Sequence, residues 1–135
     1  MISLYCRDRC VSSYKVKNWL EKYGVDFRRK SPCQISRNEL ITVFASTSKG
    51  VFEAVKDIHK VTDSDRVKIQ SMNTMTLNQA IEFLKLNPNL LKTPIVIEKN
   101  KVMIGYNSEQ IRMFLPKIYR QSTLVDYSRG MRELY

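Results

Sequence analysis

A chain of 135 residues has room for one packed domain, and 43% hydrophobic against 27% charged residues is the balance of a folded globule. The net charge of +10, from 23 Lys and Arg against 13 Asp and Glu, favours acidic partners, nucleic acid above all, although no run of five like charges forms a disordered basic arm. No apolar run reaches the roughly 20 residues of a membrane span and Met1-Ile2-Ser3-Leu4 does not read as a secretory leader, so a soluble, cytoplasmic chain without membrane contact is expected.

Ile2 to Tyr5 reads as a short buried strand. Val16, Trp19, Leu20 and Tyr23 then recur at the spacing of one helix face, and Gly24 is placed to end that helix. Val25 to Lys30 is extended in character, so the first thirty residues give β-α-β with two parallel strands and a right-handed crossover. Ser36 and Glu39 form a capping box that opens a second helix, with Leu40, Ile41 and Phe44 inward, broken at Ser46-Thr47-Ser48-Lys49-Gly50. Short helical turns follow to Ser71. A clearer helix starts near Thr76, with Leu77, Ala80, Ile81 and Leu84 as its apolar stripe, and stops at Asn87-Pro88. Ile95 to Glu98 and Lys101 to Ile104 form a hairpin. Ser108 is placed to cap a helix that buries Ile111, Phe114 and Leu115 before Pro116, and a last helix begins near Ser122. A βαβ unit followed by a helical insert, a ββα unit and a C-terminal helix is an α/β, thioredoxin-like order. It implies a single domain over 1–135, with the core in about 1–34 and 88–135 and the insert in about 35–87.

Three cysteines, Cys6, Cys10 and Cys33, cannot all pair within the chain, and a single histidine, His59, with no paired CxxC leaves too few ligands for zinc. No metal and no cofactor are expected. Cys10 is the redox candidate. It precedes the first helix, where the dipole, free amides and the charges of Arg7 and Arg9 favour a thiolate. A dithiol switch needs a second sulfur one helical turn on, and that position is Ser13. Cys6 precedes Cys10 by four residues; pairing needs their Cα atoms within about 7 Å, and packing at the strand end is the simpler role. His59 reads as a surface histidine and Arg28-Arg29-Lys30 as a solvated strand end. Pro94, after Thr93, starts a strand at the point where thioredoxin-like folds turn a cis proline toward the cysteine loop.

Together these residues resemble the Spx family, thioredoxin-like regulators related to arsenate reductases. The resemblance rests on Leu4-Tyr5, Cys10 and Trp19-Leu20. It is strongest over Asn87-Pro88-Asn89-Leu90-Leu91-Lys92-Thr93-Pro94-Ile95-Val96-Ile97, Gly105-Tyr106-Asn107 and Ile111-Arg112-Met113-Phe114-Leu115-Pro116. It implies a stress-responsive global transcription regulator, not an enzyme, that binds the C-terminal domain of the RNA polymerase α subunit. Tyr5 and Gly50 match the family's polymerase-binding positions. Lys60 matches one of two basic residues tied to promoter engagement, the other falling on Ile58. Promoter DNA is then a partner only within the polymerase complex, and the chain is expected to be a monomer.

Two departures from the family matter. Ser13 replaces the second cysteine of the CxxC switch, and Thr93 replaces the arginine that reads the switch's state, so activity is expected not to need an intramolecular disulfide. The Arg132-Glu133-Leu134-Tyr135 ending differs from the small apolar ending that suits a Clp-type protease. An arsenate-reductase-like enzyme using Cys10 is the alternative, but its oxyanion arginines fall on Thr93 and Tyr106, which cannot bind an anion bidentately. A self-sufficient DNA binder is a third reading, and no helix-turn-helix or zinc module supports it.

Overall fold

A computed structural model describes residues 1–48 and 50–115. Its sheet has four strands, β1 (Ile2–Tyr5), β2 (Phe27–Lys30), β3 (Ile95–Glu98) and β4 (Lys101–Ile104), in the order β2-β1-β3-β4. Helix α1 (Val11–Lys22) carries the chain from β1 to β2, which pair in parallel with Ile2 opposite Phe27. β3 runs antiparallel to β1 and to β4, with Val96 opposite Leu4 and Met103. This is the thioredoxin-like arrangement. The remaining helices, α2 (Arg37–Ala45), α3 (Asp63–Ser71) and α4 (Leu77–Leu86), lie between the two halves in sequence.

The strands alternate their side chains between two cores, as a pleated sheet dictates. Ile2, Leu4 and Val96 join Val16 and Leu20 of α1 with Met103, Ile111 and Phe114. Tyr5, Ile95 and Ile97 face the other way and join Leu40, Val43 and Phe44 of α2 with Ala80, Ile81 and Leu84 of α4. Helices α2, α3 and α4 each start where the sequence supplies a cap. Ser36 with Glu39 and Thr76 with Gln79 form reciprocal capping boxes, and the Thr62 hydroxyl accepts the Asp65 amide at 3.2 Å. Gly24 ends α1 with φ of +63°, a left-handed backbone that glycine adopts without strain.

Three local expectations change. Val43, not Ile41, is buried on α2, and Ile41 is 41% exposed. Leu77 is 53% exposed, because the first turn of α4 projects past the core that Ala80, Ile81 and Leu84 reach. The segment after β4 is a 3₁₀ turn over Gln110–Phe114, and Asn107 rather than Ser108 caps it, its Oδ1 accepting the amides of Glu109 and Gln110 at 2.9 Å. Ile111, Phe114 and Leu115 are buried as expected. Pro116 and the helix expected from Ser122 lie outside the described residues.

A short pairing ties the insert to the sheet. Val55 bridges Leu91, the Lys92 amide donates to the Ala54 carbonyl at 2.8 Å, and the Lys56 amide donates to the Leu90 carbonyl at 3.0 Å. The turn that begins at Gly50 therefore ends against the segment leading into Pro94.

Candidate functional site

β1 delivers the chain into a tight loop, and Cys10 stands at its end as the N-cap of α1. The side chain makes no capping bond. The sulfur instead faces Thr93, 3.9 Å from its carbonyl oxygen and 3.7 Å from its hydroxyl, beside the cis Thr93–Pro94 bond. Burial disfavours the thiolate. The hydroxyl and amide of Ser13, the Thr93 hydroxyl and the Ser12 amide outweigh it and hold the Cys10 thiol below its ordinary value. Ser13 itself is 6% exposed, and its Oγ has no partner of full hydrogen-bond geometry. A buried hydroxyl left in that state gains most from the charge that ionised Cys10 places beside it.

Arg7, one turn of loop earlier, reaches across to the same segment. Its Nη1 donates to the Leu91 carbonyl at 2.8 Å and to the Thr93 hydroxyl at 3.3 Å, and its Nη2 donates to the Pro88 carbonyl at 2.7 Å. Burial lowers the Arg7 pKa, and the negative charge of Cys10 works in the opposite direction. The Lys56 ammonium is also lowered, first by burial and then by repulsion from Arg7, with Asp65 opposing. Arg9, expected to join Arg7, is exposed in a left-handed turn at φ of +60°. The loop's charge near the thiol is thus carried by Arg7.

The other cysteines stay apart from this arrangement. All three are free. Cys6 is buried at the end of β1, and its sulfur accepts from Nε of Arg29 at 3.1 Å, while the same guanidinium meets Asp8 at 2.8 Å. It does line, with Cys10 and Ser13, a small cavity of about 10 Å³. Cys33 is exposed in the turn Pro32–Gln34 beside the Ser31 hydroxyl. His59 is exposed, and among the described residues no cluster of His, Cys, Asp or Glu could hold a metal.

Tyr5 is fully buried, and its hydroxyl donates to the Glu39 carboxylate. Burial, that hydrogen bond and the adjacent negative charge all raise the Tyr5 pKa, so the ring stays neutral. Glu39 is disfavoured by burial but held below the usual carboxylate range by Tyr5, by the amide and hydroxyl of Ser36, and by Lys30. Lys30 also sits 5.6 Å above the Tyr5 ring. Tyr5 therefore presents no surface of its own; it fixes the start of α2.

Gly50 is exposed with φ of +78°, and a Cβ there meets nothing within 4 Å. It opens onto an apolar groove of about 420 Å³ whose walls include Ile41 and Phe44 of α2, Val51, and Leu77 of α4. Lys60 is exposed in the short turn Ile58–Lys60, which Asp57 caps through the His59 amide. Tyr106, in the place of the second oxyanion arginine, packs near α1 with Lys15 5.8 Å over its ring. Sequence reasoning missed the Arg7 clamp and the Tyr5–Glu39 bond. The only signal for either was an arginine beside the cysteine loop and the Glu39 already assigned to a cap.

A thioredoxin-like domain with one cysteine at the N-terminus of α1, facing a cis proline, defines the class. The ArsC family pattern matches residues 5–114. The global transcriptional regulator Spx of Streptococcus agalactiae is 30% identical over 126 residues, covering 92% of this chain and 90% of that protein. Its Streptococcus pyogenes counterpart is 29% identical, with 92% of each chain covered. Among solved structures, a Staphylococcus aureus protein superposes with a TM-score of 0.70 at 22% identity, over 84% of this chain and 97% of that one. A Vibrio cholerae arsenate reductase does so with 0.67 at 17% identity, over 84% and 97%. The chain belongs to the ArsC family, and its relatives place it with the Spx proteins of that family.

Proposed function

We propose that this chain is a transcription regulator that docks on the C-terminal domain of the RNA polymerase α subunit and alters promoter engagement under stress. It does so without an intramolecular disulfide. The observation that carries the reading is the relationship to Spx regulators across 92% of the chain. The regulator acts in the cytoplasm as a monomer, and no helix among the described residues is long and apolar enough to cross a membrane. It touches promoter DNA only within the polymerase complex, where Lys60 adds attraction for phosphate. Turnover by a Clp-type protease is the remaining partner in this reading, and the segment that would bear it lies outside the described residues.

The groove beside Gly50 supports the docking face. Ile41 and Leu77 are apolar and exposed at its rim, the composition that marks a site of protein contact. A partner backbone can approach at Gly50 because no side chain stands there. Tyr5 contributes from beneath, by fixing Glu39 and the start of α2.

A reductase reading lacks this support. Arsenate needs a guanidinium free to hold it beside the thiolate. Thr93 and Tyr106 supply none, and Arg7 is turned toward the 88–93 segment, donating to Leu91, Thr93 and Pro88. The reading is that Cys10 does not turn over substrate.

The experiment is a calorimetric titration of the isolated α C-terminal domain with the protein, in reducing and in oxidising buffer. Saturable binding of similar strength in both is expected. Gly50→Arg should abolish it while Gly50→Ala, whose Cβ meets nothing within 4 Å among the described residues, retains it at some cost in stability from the φ of +78°. A folded Gly50→Arg protein that binds normally overturns the docking face, and absence of binding in either buffer overturns the function.

A further inference from the structure

β1 and β2 run parallel and end together, with Tyr5 opposite Lys30. Beyond Tyr5 the chain turns into α1, which packs on one face of the sheet. Beyond Lys30 it turns through Pro32–Gln34 toward α2, which packs on the other face. Where consecutive connections leave a sheet to opposite faces, the strand ends part around a crevice, and open α/β sheets hold their ligands there. In this chain the crevice is an open cleft of about 480 Å³. Cys6 and Asp8 wall it after β1, Ser31 and Gln34 after β2, with Arg29 and Lys30 from β2 itself. That volume suits a small molecule. Neither Cys10 nor Thr93 lines it. We propose that this cleft is a binding site for a small phosphate-bearing molecule, held by Arg29 and Lys30 at the carboxyl ends of the parallel strands.

Arg28-Arg29-Lys30, which composition alone reads as a solvated strand end, is divided by the pleat. Arg29 turns to Cys6, while Lys30 lies over the Tyr5 ring of the opposite face. The Arg29 guanidinium is braced at two points. Its Nε donates to Cys6 Sγ at 3.1 Å and its Nη2 to Asp8 at 2.8 Å, whereas its Nη1 has no partner among the described residues. A fork held in this way loses little freedom when it meets an anion. Asp8, its acidic partner, is 95% exposed, so an incoming anion displaces a carboxylate that water already solvates. Lys30 supplies a second cation and forms no ion pair among the described residues. Gln34 adds a neutral donor: its Oε1 accepts the Ser31 amide at 2.7 Å, which fixes the side-chain amide and leaves Nε2 free to donate. Arg7 also lines the cleft but donates to the 88–93 segment, so it adds charge rather than contacts. Two cations and an amide donor around one cleft match the several oxygens and double charge of a phosphate better than the single charge of a carboxylate. The ligand is bound without a covalent step, and the site does not rest on the docking reading above.

The test is an NMR titration of the isotope-labelled full chain in reducing buffer. The probes are inorganic phosphate and adenosine monophosphate, each compared with sodium chloride at equal ionic strength. Saturable shifts are expected at the amides of Asp8, Arg29, Lys30, Ser31 and Gln34, with Lys60 unmoved. Arg29→Gln should weaken both probes about tenfold or more, as for loss of a charged hydrogen-bond donor. Asp8→Asn should tighten them about twofold or more by removing the competing carboxylate, a gain that a purely structural Arg29–Asp8 pair does not produce. Lys60→Ala should bind both as the parent does. If Arg29→Gln does not fold, Lys30→Gln takes its place, with the same direction of change. Absence of saturable shifts, shifts that chloride reproduces, or an equal loss in Lys60→Ala overturns the site. A short duplex DNA that displaces phosphate from these amides and binds them more tightly than adenosine monophosphate overturns the small-molecule ligand and makes the cleft a nucleic-acid contact. No readout here involves the α subunit, so failure of the site and failure of the docking reading are told apart.

Discussion

A hydroxyl buried under α2 needs a partner, and Tyr5 finds it in Glu39, a residue already committed to the Ser36 capping box. One carboxylate thus closes the helix start and satisfies the strand. Because its folded pKa is depressed, Glu39 contributes stability that is present above the unfolded carboxylate value of about 4.3 and is lost as pH falls through the lower folded value. Tyr5→Phe removes the foremost donor to it. Urea unfolding at neutral pH should show a loss of about 1–2 kcal/mol, modest because Glu39 is partly open to water. The loss should shrink as pH falls below about 4, where the carboxylate is protonated in either protein. A pH-independent loss would assign the effect to packing. For Cys10, alkylation rate against pH should give a midpoint below the ordinary thiol value, and Ser13→Ala should raise it. The sequence made Cys10 a candidate because a helix start is a local property. It could not show Arg7 on Leu91, 84 residues away, because a contact of that range leaves no periodic trace.

At the scale of elements, spacing located what local chemistry controls. β1, β3 and β4 lie where alternation put them, and Ser36 and Thr76 begin their helices where the caps stand. What periodicity missed was which apolar residue of a stripe the core would reach. Ile41 and Leu77 have the spacing of core residues yet stand at 41% and 53% exposed on the Gly50 groove, because no element among the described residues covers them there. That difference separates two kinds of mutation. Leu84→Ala, at a fully buried site of α4, should cost about 2–5 kcal/mol in urea unfolding. Leu77→Lys should change stability by about 0.5 kcal/mol or less, as for exposed positions generally. On the docking reading it should nonetheless weaken binding to the α C-terminal domain about tenfold or more, since it places a charge in an apolar contact. Stable folding with unimpaired binding would move the interface away from this groove.

Across the whole molecule, the charge of +10 is spread along the sequence with no run of five like charges. The basic side chains near the sheet have internal work: Arg29 holds Cys6 and Asp8, Arg37 meets Glu82 at 2.8 Å, and Arg7 holds carbonyls. Lys60 differs in being exposed and in forming no ion pair among the described residues, on a turn separate from the Gly50 groove. Phosphate attraction of this kind is additive, blind to sequence and steep in salt. Binding to free promoter DNA should therefore be weak and fall several-fold between about 50 and 200 mM salt, with little preference for one sequence. In the presence of polymerase, position comes from the α contact, and Lys60→Ala should reduce promoter-dependent transcription while leaving titration of the α C-terminal domain unchanged. A Lys60→Ala protein that loses both activities together would join the two surfaces into one. Tight, sequence-specific binding by the protein alone would instead make it a DNA reader in its own right, and the polymerase would no longer be needed to explain its basic charge.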